Sequence, residues 1–282
     1  CKRCHPLEQD GRPTWARSLM EEVERAPDRA WSEAAIRALG VDPSTARRWF
    51  QRRFGLSFTA WARARRLDSA RGALGAGGRV DDAVFDSGYD SHSGFREAFT
   101  RVFGAPPGRA RGKDCIVFTW VESPLGPLVT AATTEGICLL EFGDPARLHP
   151  QIEQLKRVLR LPAVPGRNAH LRLLERELHQ YFEGTLREFT VPLVLRGTPF
   201  QERVWRALLA IPYGTTRSYA EIAERIGSSG AQRAVGTANG RNRIAIVIPC
   251  HRVINAGGAL GGYGGGLRRK EFLLELERGA ER

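Results

Sequence analysis

Residues 248–266, IPCHRVINAGGALGGYGGG, set Cys250 directly before His251 and Arg252 and place seven glycines in the ten positions that end the stretch. A thiol is a strong nucleophile only as thiolate, and near pH 7 a free cysteine is ionised to a few per cent. A neighbouring base or a positive field lowers its pKa by about one to several units. Cys250 therefore reads in two ways, as an activated nucleophile or as a small apolar filler. Glycine lets the backbone approach a flat ligand and adopt positive φ, so the run suits the wall of a pocket for a planar base. A nucleotide-phosphate cradle is excluded, because neither G-x-G-x-x-G nor P-loop spacing is present.

Composition indicates what such a nucleophile would meet. The 282 residues carry 43 Lys and Arg against 31 Asp and Glu, a net charge of +12. That excess points to a polyanionic partner. Arginine supplies most of it, and its planar fork suits phosphates and base edges. Nucleic acid is the partner expected. Hydrophobic residues make up 42%, enough for packed cores, and the length suits two compact domains. No apolar run approaches the ~18 residues of a membrane span, and the opening CKRCHPLEQDGRP lacks a signal-peptide core. Five scattered cysteines argue against a secreted disulfide framework, so a reducing, cytoplasmic compartment is expected.

Two regions must position these residues. FGAPPGRARGKD, residues 103–114, concentrates Pro, Gly and basic residues and reads as a linker. Before it lies a helical region with a loose internal repeat, AIRALGVDPSTARRWFQRRFG at 35–55 and AVFDSGYDSHSGFREAFTRVFG at 83–104. Each copy has a short helix, a turn glycine (Gly40, Gly88), a polar N-cap region and a second helix closing on Phe-Gly. This is the pattern of two helix-turn-helix units. Trp49, Phe50, Phe54, Phe95, Phe99 and Phe103 fall at helical spacing and are expected in cores. Arg47, Arg48 and Arg52 in the first unit, and Ser91, His92, Ser93 and Arg96 in the second, are the expected DNA contacts. Residues 30–110 resemble the AraC-type DNA-binding domain, whose two units enter successive segments of the major groove.

After the linker, CIVFTWVES and LVTAATTEGICLLEF read as strands, and helical periodicity returns from PQIEQLKRVLRL onward. RAVGTANGRN, IPCHRVI and GYGGGLRRKEFLLELE then follow in order, and residues 114–282 resemble the O6-alkylguanine-DNA alkyltransferases. The whole chain thus resembles the Ada-type bifunctional family of repair proteins and regulators. That resemblance implies a multidomain, mostly α fold with an α/β part. Its expected divisions are a zinc-module remnant at 1–12, a double helix-turn-helix domain at 13–108, a linker at 109–114, a small β-rich subdomain at 115–195, and a helical alkyltransferase domain at 196–282.

The same resemblance implies single-turnover transfer of an alkyl group from guanine O6, and from thymine O4, to Cys250. Cys250, His251 and Glu277 would form a relay through a water, with the imidazole holding the sulfur ready as an anion. Glu277 falls near a helix C-terminus, where the dipole disfavours a carboxylate, and pairing with an imidazolium would offset that penalty. Asn242 would brace the active-site turn, although Arg243 follows it where the family commonly has proline. Tyr263 would wall the alkyl pocket, Arg233 would fill the stack left by an extruded base, and Tyr219 would press on the rotated nucleotide. Asn239 and Arg252 are also expected against substrate or DNA.

The resemblance further implies no cofactor for alkyl transfer, alkylated and promoter DNA as partners with RNA polymerase, a monomer, and a place at the bacterial nucleoid. CKRC at 1–4 is half of a four-cysteine zinc site. Cys1 and Cys4 read as its remnant, in a fragment whose zinc-binding module is mostly missing, with zinc bound only in the full-length protein. Two other readings stay open. One is a regulator whose transferase half has decayed to a damage sensor, and the other is a cysteine hydrolase, which would turn over.

Overall fold

The computed structural model describes residues 13–110, 113–143 and 145–279. Its first helices are α1 (Thr14–Arg25), α2 (Glu33–Ala38), α3 (Pro43–Phe54), α4 (Phe58–Gly75), α5 (Val80–Asp86), α6 (His92–Phe103) and α7 (Pro107–Ala110). The two sequence repeats become matching helix pairs. Gly40 and Gly88 take φ of +74° and +61° in the turns, a conformation that favours glycine. Asp42 caps α3 by accepting from the Thr45 amide, and Ser91 caps α6 by accepting from the Gly94 amide. Both second helices end on a left-handed glycine, Gly55 and Gly104.

Helix α4 serves both units. Its Phe58 and Trp61 pack on Phe50 of α3, with ring centroids 5.1 and 5.8 Å away. Its Leu67, Ala70 and Leu74 join Phe95 and Phe99 of α6 in a second cluster. The aromatic residues expected in cores are there: Phe50, Phe95 and Phe99 are fully buried, Phe54 nearly so, and Trp49 and Phe103 half-buried. Part of the stretch read as a linker is structured. Pro107 opens α7, and Arg71 of α4 donates to the Lys113 carbonyl at 3.1 Å.

The chain continues through β1 (Ile116–Val121), β2 (Leu128–Ala132), β3 (Ile137–Phe142), α8 (Pro145–Leu159) and β4 (Ala163–Pro165). Then come α9 (Ala169–Phe182), α10 (Pro199–Leu209), β5 (Arg217–Ser218), α11 (Tyr219–Arg225), α12 (Gln232–Gly240), β6 (Val253–Ile254) and α13 (Leu267–Gly279). The described residues form two compact units. Segments 13–119 and 143–168 make one, and segments 120–142 and 169–279 make the other. The stretch 115–195, expected as a β-rich subdomain, carries α8 and α9 besides its strands.

In the first unit β1 pairs in parallel with β4, Val117 opposite Val164. In the second, β2 and β3 are antiparallel with Leu128 opposite Phe142, and both are buried on both faces. That explains their near-continuous apolar sequence. Helix α10 starts on a capping box, Thr198 with Gln201, and Pro199 fits the first turn because its missing N–H has no intrahelical acceptor there. Helix α11 starts on a second box, Ser218 with Glu221. Gly214, at φ +73°, turns the chain between them. Strand β3 is the rail for the segment before α13: Leu140 accepts from the Ala245 amide and donates to the Arg243 carbonyl, both at 2.8 Å. Among the described residues, no helix is long and apolar enough to cross a membrane.

Candidate active site

Helix α13 buries Lys270, Leu273, Leu274 and Glu277, one face at i, i+3, i+4 and i+7. Two of the four are charged, so the face must carry partners for them. Glu277 is fully buried and collects five donors. Its Oε1 accepts from Tyr181 Oη at 2.7 Å, His251 Nε2 at 2.8 Å and Arg252 Nη2 at 2.9 Å. Its Oε2 accepts from Arg252 Nε at 2.8 Å and the Gly214 amide at 3.2 Å. Burial opposes the charge on Glu277, but hydrogen bonds and charge from His251 and Arg252 outweigh it and hold the carboxyl down at about 2.

Arg252, expected against substrate or DNA, faces inward instead. It is buried, its fork grips Glu277, and its Nη1 donates to the Ile211 carbonyl at 2.6 Å. This guanidinium supplies the positive charge expected from an imidazolium. Burial instead pushes the pKa of His251 below its ordinary value, against the pull of Glu277, so the ring is neutral near pH 7. A neutral ring beside a carboxylate keeps its proton on Nε2. His251 Nδ1 is then an acceptor, and it is buried with no hydrogen-bond partner among the described residues.

Cys250 sits at the start of a one-turn 3-10 helix over Cys250–Arg252. It is 5% exposed. Asn242 Nδ2 lies 3.1 Å from its Sγ, 3.0 Å from the Ile248 carbonyl and 3.3 Å from the Ile244 carbonyl, and Asn242 Oδ1 accepts from the Ile244 amide. One amide thus spans the turn and ends on the sulfur. Within that turn Ile246 takes φ +70°, which for a β-branched residue costs about 1–3 kcal/mol and needs such bracing. Asn239, expected against substrate or DNA, is buried instead, and its Nδ2 donates to the Cys250 carbonyl at 3.3 Å. Arg243, which follows Asn242, donates from its Nη1 to the Arg196 carbonyl at 2.7 Å.

Burial works against the resting thiolate expected at Cys250. Burial pushes the Cys250 thiol up to about 11, with Glu141 adding to the rise and Asn242 and Lys270 opposing it. His251 makes no direct hydrogen bond to the sulfur; the ring faces Glu277.

The glycine run is packed against aromatic rings. A Cβ on Gly261 would lie 2.8 Å from Tyr219 Oη, and one on Gly265 would lie 2.4 Å from Phe142 Cε2. Phe142 meets Tyr263 edge-on with centroids 6.1 Å apart. Tyr219 is half-buried, and burial, then charge at Cys250, raise its pKa. Arg233 is exposed on α12. Lys270 ties the wall down by donating to the carbonyls of Val253 at 2.6 Å and Gly261 at 3.2 Å. Sequence reasoning missed Tyr181, Lys270 and Phe142. Lys270 could have been found as a second charge on the apolar face of α13, but Tyr181 lies 96 positions from Glu277 with no local signal.

In the helix-turn-helix unit, Arg47, Arg48 and Arg52 are exposed on α3, and Ser91, His92, Ser93 and Arg96 are exposed at the start of α6. Cys1 and Cys4 lie outside the described residues.

Three family models match the chain. Residues 36–113 match a helix-turn-helix domain, 116–195 the ribonuclease-like domain of 6-O-methylguanine DNA methyltransferase, and 199–279 its DNA binding domain. The methylated-DNA–protein-cysteine methyltransferase of Mycobacterium tuberculosis is 50% identical over 163 residues, 58% of this chain and 93% of that protein. The bifunctional transcriptional activator/DNA repair enzyme Ada of Escherichia coli is 33% identical over 289 residues, 98% of this chain and 79% of that protein. The crystal structure of Mycobacterium tuberculosis OGT in complex with DNA superposes with a TM-score of 0.51 at 47% identity, over 58% of this chain and 94% of that one.

Proposed function

The chain belongs to the methylated-DNA–protein-cysteine methyltransferase family in its Ada-like form, and from that premise we propose that Cys250 accepts the alkyl group and the helix-turn-helix unit regulates transcription. The observation that carries the reading is the pairing of two bonds on one turn, Asn242 Nδ2 on Cys250 Sγ and, at the next residue, the buried His251 Nε2 on Glu277. DNA is the partner. Alkylated guanine, and alkylated thymine with the leaving oxygen at O4, must leave the stack to reach Sγ. Extrusion costs a few kcal/mol and costs least for a mispaired lesion. Arg233 fills the gap, Tyr219 presses on the turned-out nucleotide, and Tyr263 with Phe142 walls the base.

The resting thiol is neutral, so its proton must move as the substrate settles. A water carries it from Sγ to His251 Nδ1, the free acceptor of a ring whose Nε2–H is held by Glu277. Sγ then attacks the alkyl carbon in line, the S–C bond forms, and the C–O6 bond breaks with its electron pair leaving on guanine. The transferred hydrogen ends on the released base, so the net change is thiol to thioether and alkylguanine to guanine. No cofactor is needed, because the damaged DNA is the alkyl donor. Thioether formation is not reversed, which makes the reaction stoichiometric.

The regulatory half reads promoter DNA with Arg47, Arg48 and Arg52 on α3 and Ser91, His92, Ser93 and Arg96 on α6, and acts on RNA polymerase as a monomer in the cytoplasm.

Lesion counting tests the reading. Duplex DNA carrying O6-methylguanine is offered in tenfold excess, and one lesion should disappear per chain before reaction stops. Continued turnover would point to a hydrolase, and intact DNA binding without lesion loss would point to a regulator with a decayed transferase half.

A further inference from the structure

Arg243 sits between the residue that braces the sulfur and the segment that leans on β3. Its backbone carbonyl accepts from Leu140 of β3 at 2.8 Å, and Leu140 and Ile244 form a parallel bridge. Upstream on the same strand, Ile137 bridges Leu193, donates to the Pro192 carbonyl and accepts from the Val194 amide, each bond 2.8 Å. Strand β3 therefore holds two separate segments, 192–194 and 243–245. The Arg243 side chain joins them, because its Nη1 donates to the Arg196 carbonyl at 2.7 Å. Arg196 lies two residues before Thr198, the cap of α10.

Arg243 as a residue is half-buried. Burial and then the charge of Arg241 pull its pKa below the usual guanidinium value. A cation held in that position against both effects needs its acceptor. The far end of Arg243 closes a three-sided frame of β3, residues 192–196 and residues 243–245, and Asn242 is the next residue along from its corner.

We propose that Arg243 is a positioning residue for alkyl transfer, a clamp from side chain to the Arg196 carbonyl that fixes the turn and so keeps the Asn242 amide on Cys250 Sγ. It touches neither substrate nor sulfur and acts through Asn242. The inference rests on the alkyl-transfer reading for its rate measurement but not for its effect on the thiol.

The test compares the full chain with Arg243→Met, which keeps an apolar stem and loses the donor, and with Arg243→Lys, which keeps a donor. Two readouts are taken. One is the single-turnover transfer rate with the protein saturated by O6-methylguanine DNA. The other is the pH profile of iodoacetamide modification read on the Cys250 peptide, which needs no DNA. The clamp predicts that Arg243→Met slows transfer about tenfold, as expected for slight misplacement of a reacting group. It also predicts a thiol profile shifted to higher pH, DNA affinity unchanged, and Arg243→Lys restoring most of both. An unchanged rate and an unchanged thiol profile in Arg243→Met overturn the proposal, even if thermal stability falls. If Arg243→Met does not fold, Arg243→Gln, too short to reach Arg196, takes its place under the same criteria. A wild-type chain that transfers nothing would defeat the alkyl-transfer reading, while the thiol profile alone would still decide the clamp.

Discussion

His251 Nε2 stands 2.8 Å from Glu277 Oε1 with both side chains fully buried, and the same carboxylate carries the bidentate fork of Arg252. The pair is thus neutral as a set, Glu277 against Arg252, with His251 held as an uncharged base. This differs from a cysteine–imidazolium ion pair, in which the sulfur is ionised before substrate arrives.

The distinction sets the pH dependence of transfer. With a neutral base as proton acceptor, the single-turnover rate rises as His251 loses its proton, at a pH below 6.5, and is flat from there toward pH 9. A preformed-thiolate mechanism with a thiol near 11 would instead climb about tenfold per pH unit across that range. Rate against pH on saturating DNA separates them.

Stability should fall in acid in two stages. His251 is held below its ordinary 6.5, so its contribution is present above that value and is lost as pH drops beneath it. Glu277 is held at about 2 against 4.5, so its contribution is present above 4.5 and is lost as pH falls toward 2. Urea melts from pH 8 to pH 3 should show both losses, and the second should vanish in Glu277→Gln.

Glu277→Gln removes the only carboxylate bonded to Arg252 among the described residues and leaves a buried guanidinium uncompensated. A loss of about 3–5 kcal/mol is expected at neutral pH, together with slow transfer. Tyr181→Phe deletes one donor to the same carboxylate and should cost less, about 1.5–3 kcal/mol. Equal losses in the two variants would contradict the assignment of Arg252 as the principal counter-ion.

Asn239→Ala should lower the transfer rate up to about tenfold, as one lost hydrogen bond allows, while DNA affinity holds. Asn239 reaches the Cys250 carbonyl from inside, so weakened DNA binding at an unchanged rate would restore it to the DNA surface.

Arg48→Ala should weaken promoter binding and reduce the slope of log affinity against log salt by about 1. Arg48 is exposed on α3, where it hydrogen-bonds Thr45 of its own helix and lies near Asp42. A full salt slope in the variant would remove it from the phosphate contacts.

Much of this was legible in the sequence because it depends on local rules. Turn glycines, Asp42 and Ser91 as caps, and aromatic spacing on α3 and α6 all report on their own neighbourhoods. The Cys250–His251 step and the late Glu277 were legible from motif order. What the sequence concealed is charge balance inside the fold. Arg252 sits in a motif that reads as DNA-facing, yet the 3-10 turn aims it at Glu277. The Asn239 side chain faces inward because α12 ends against the Cys250 turn. The thiol pKa was misjudged for the same reason: burial is a tertiary property, and it overrides the neighbouring imidazole. Strands β2 and β3 were legible from their apolar runs, whereas the pairing of β1 with β4 joins residues nearly fifty positions apart and no local pattern encodes it.

The most direct measurement is peptide mass analysis after one round of reaction with O6-methylguanine duplex DNA. The account predicts one added methyl per chain, confined to the peptide carrying Cys250 and absent in Cys250→Ala. A methyl on Cys115 or Cys138 with Cys250 unmodified, or lesion loss with no methylated peptide, would contradict it.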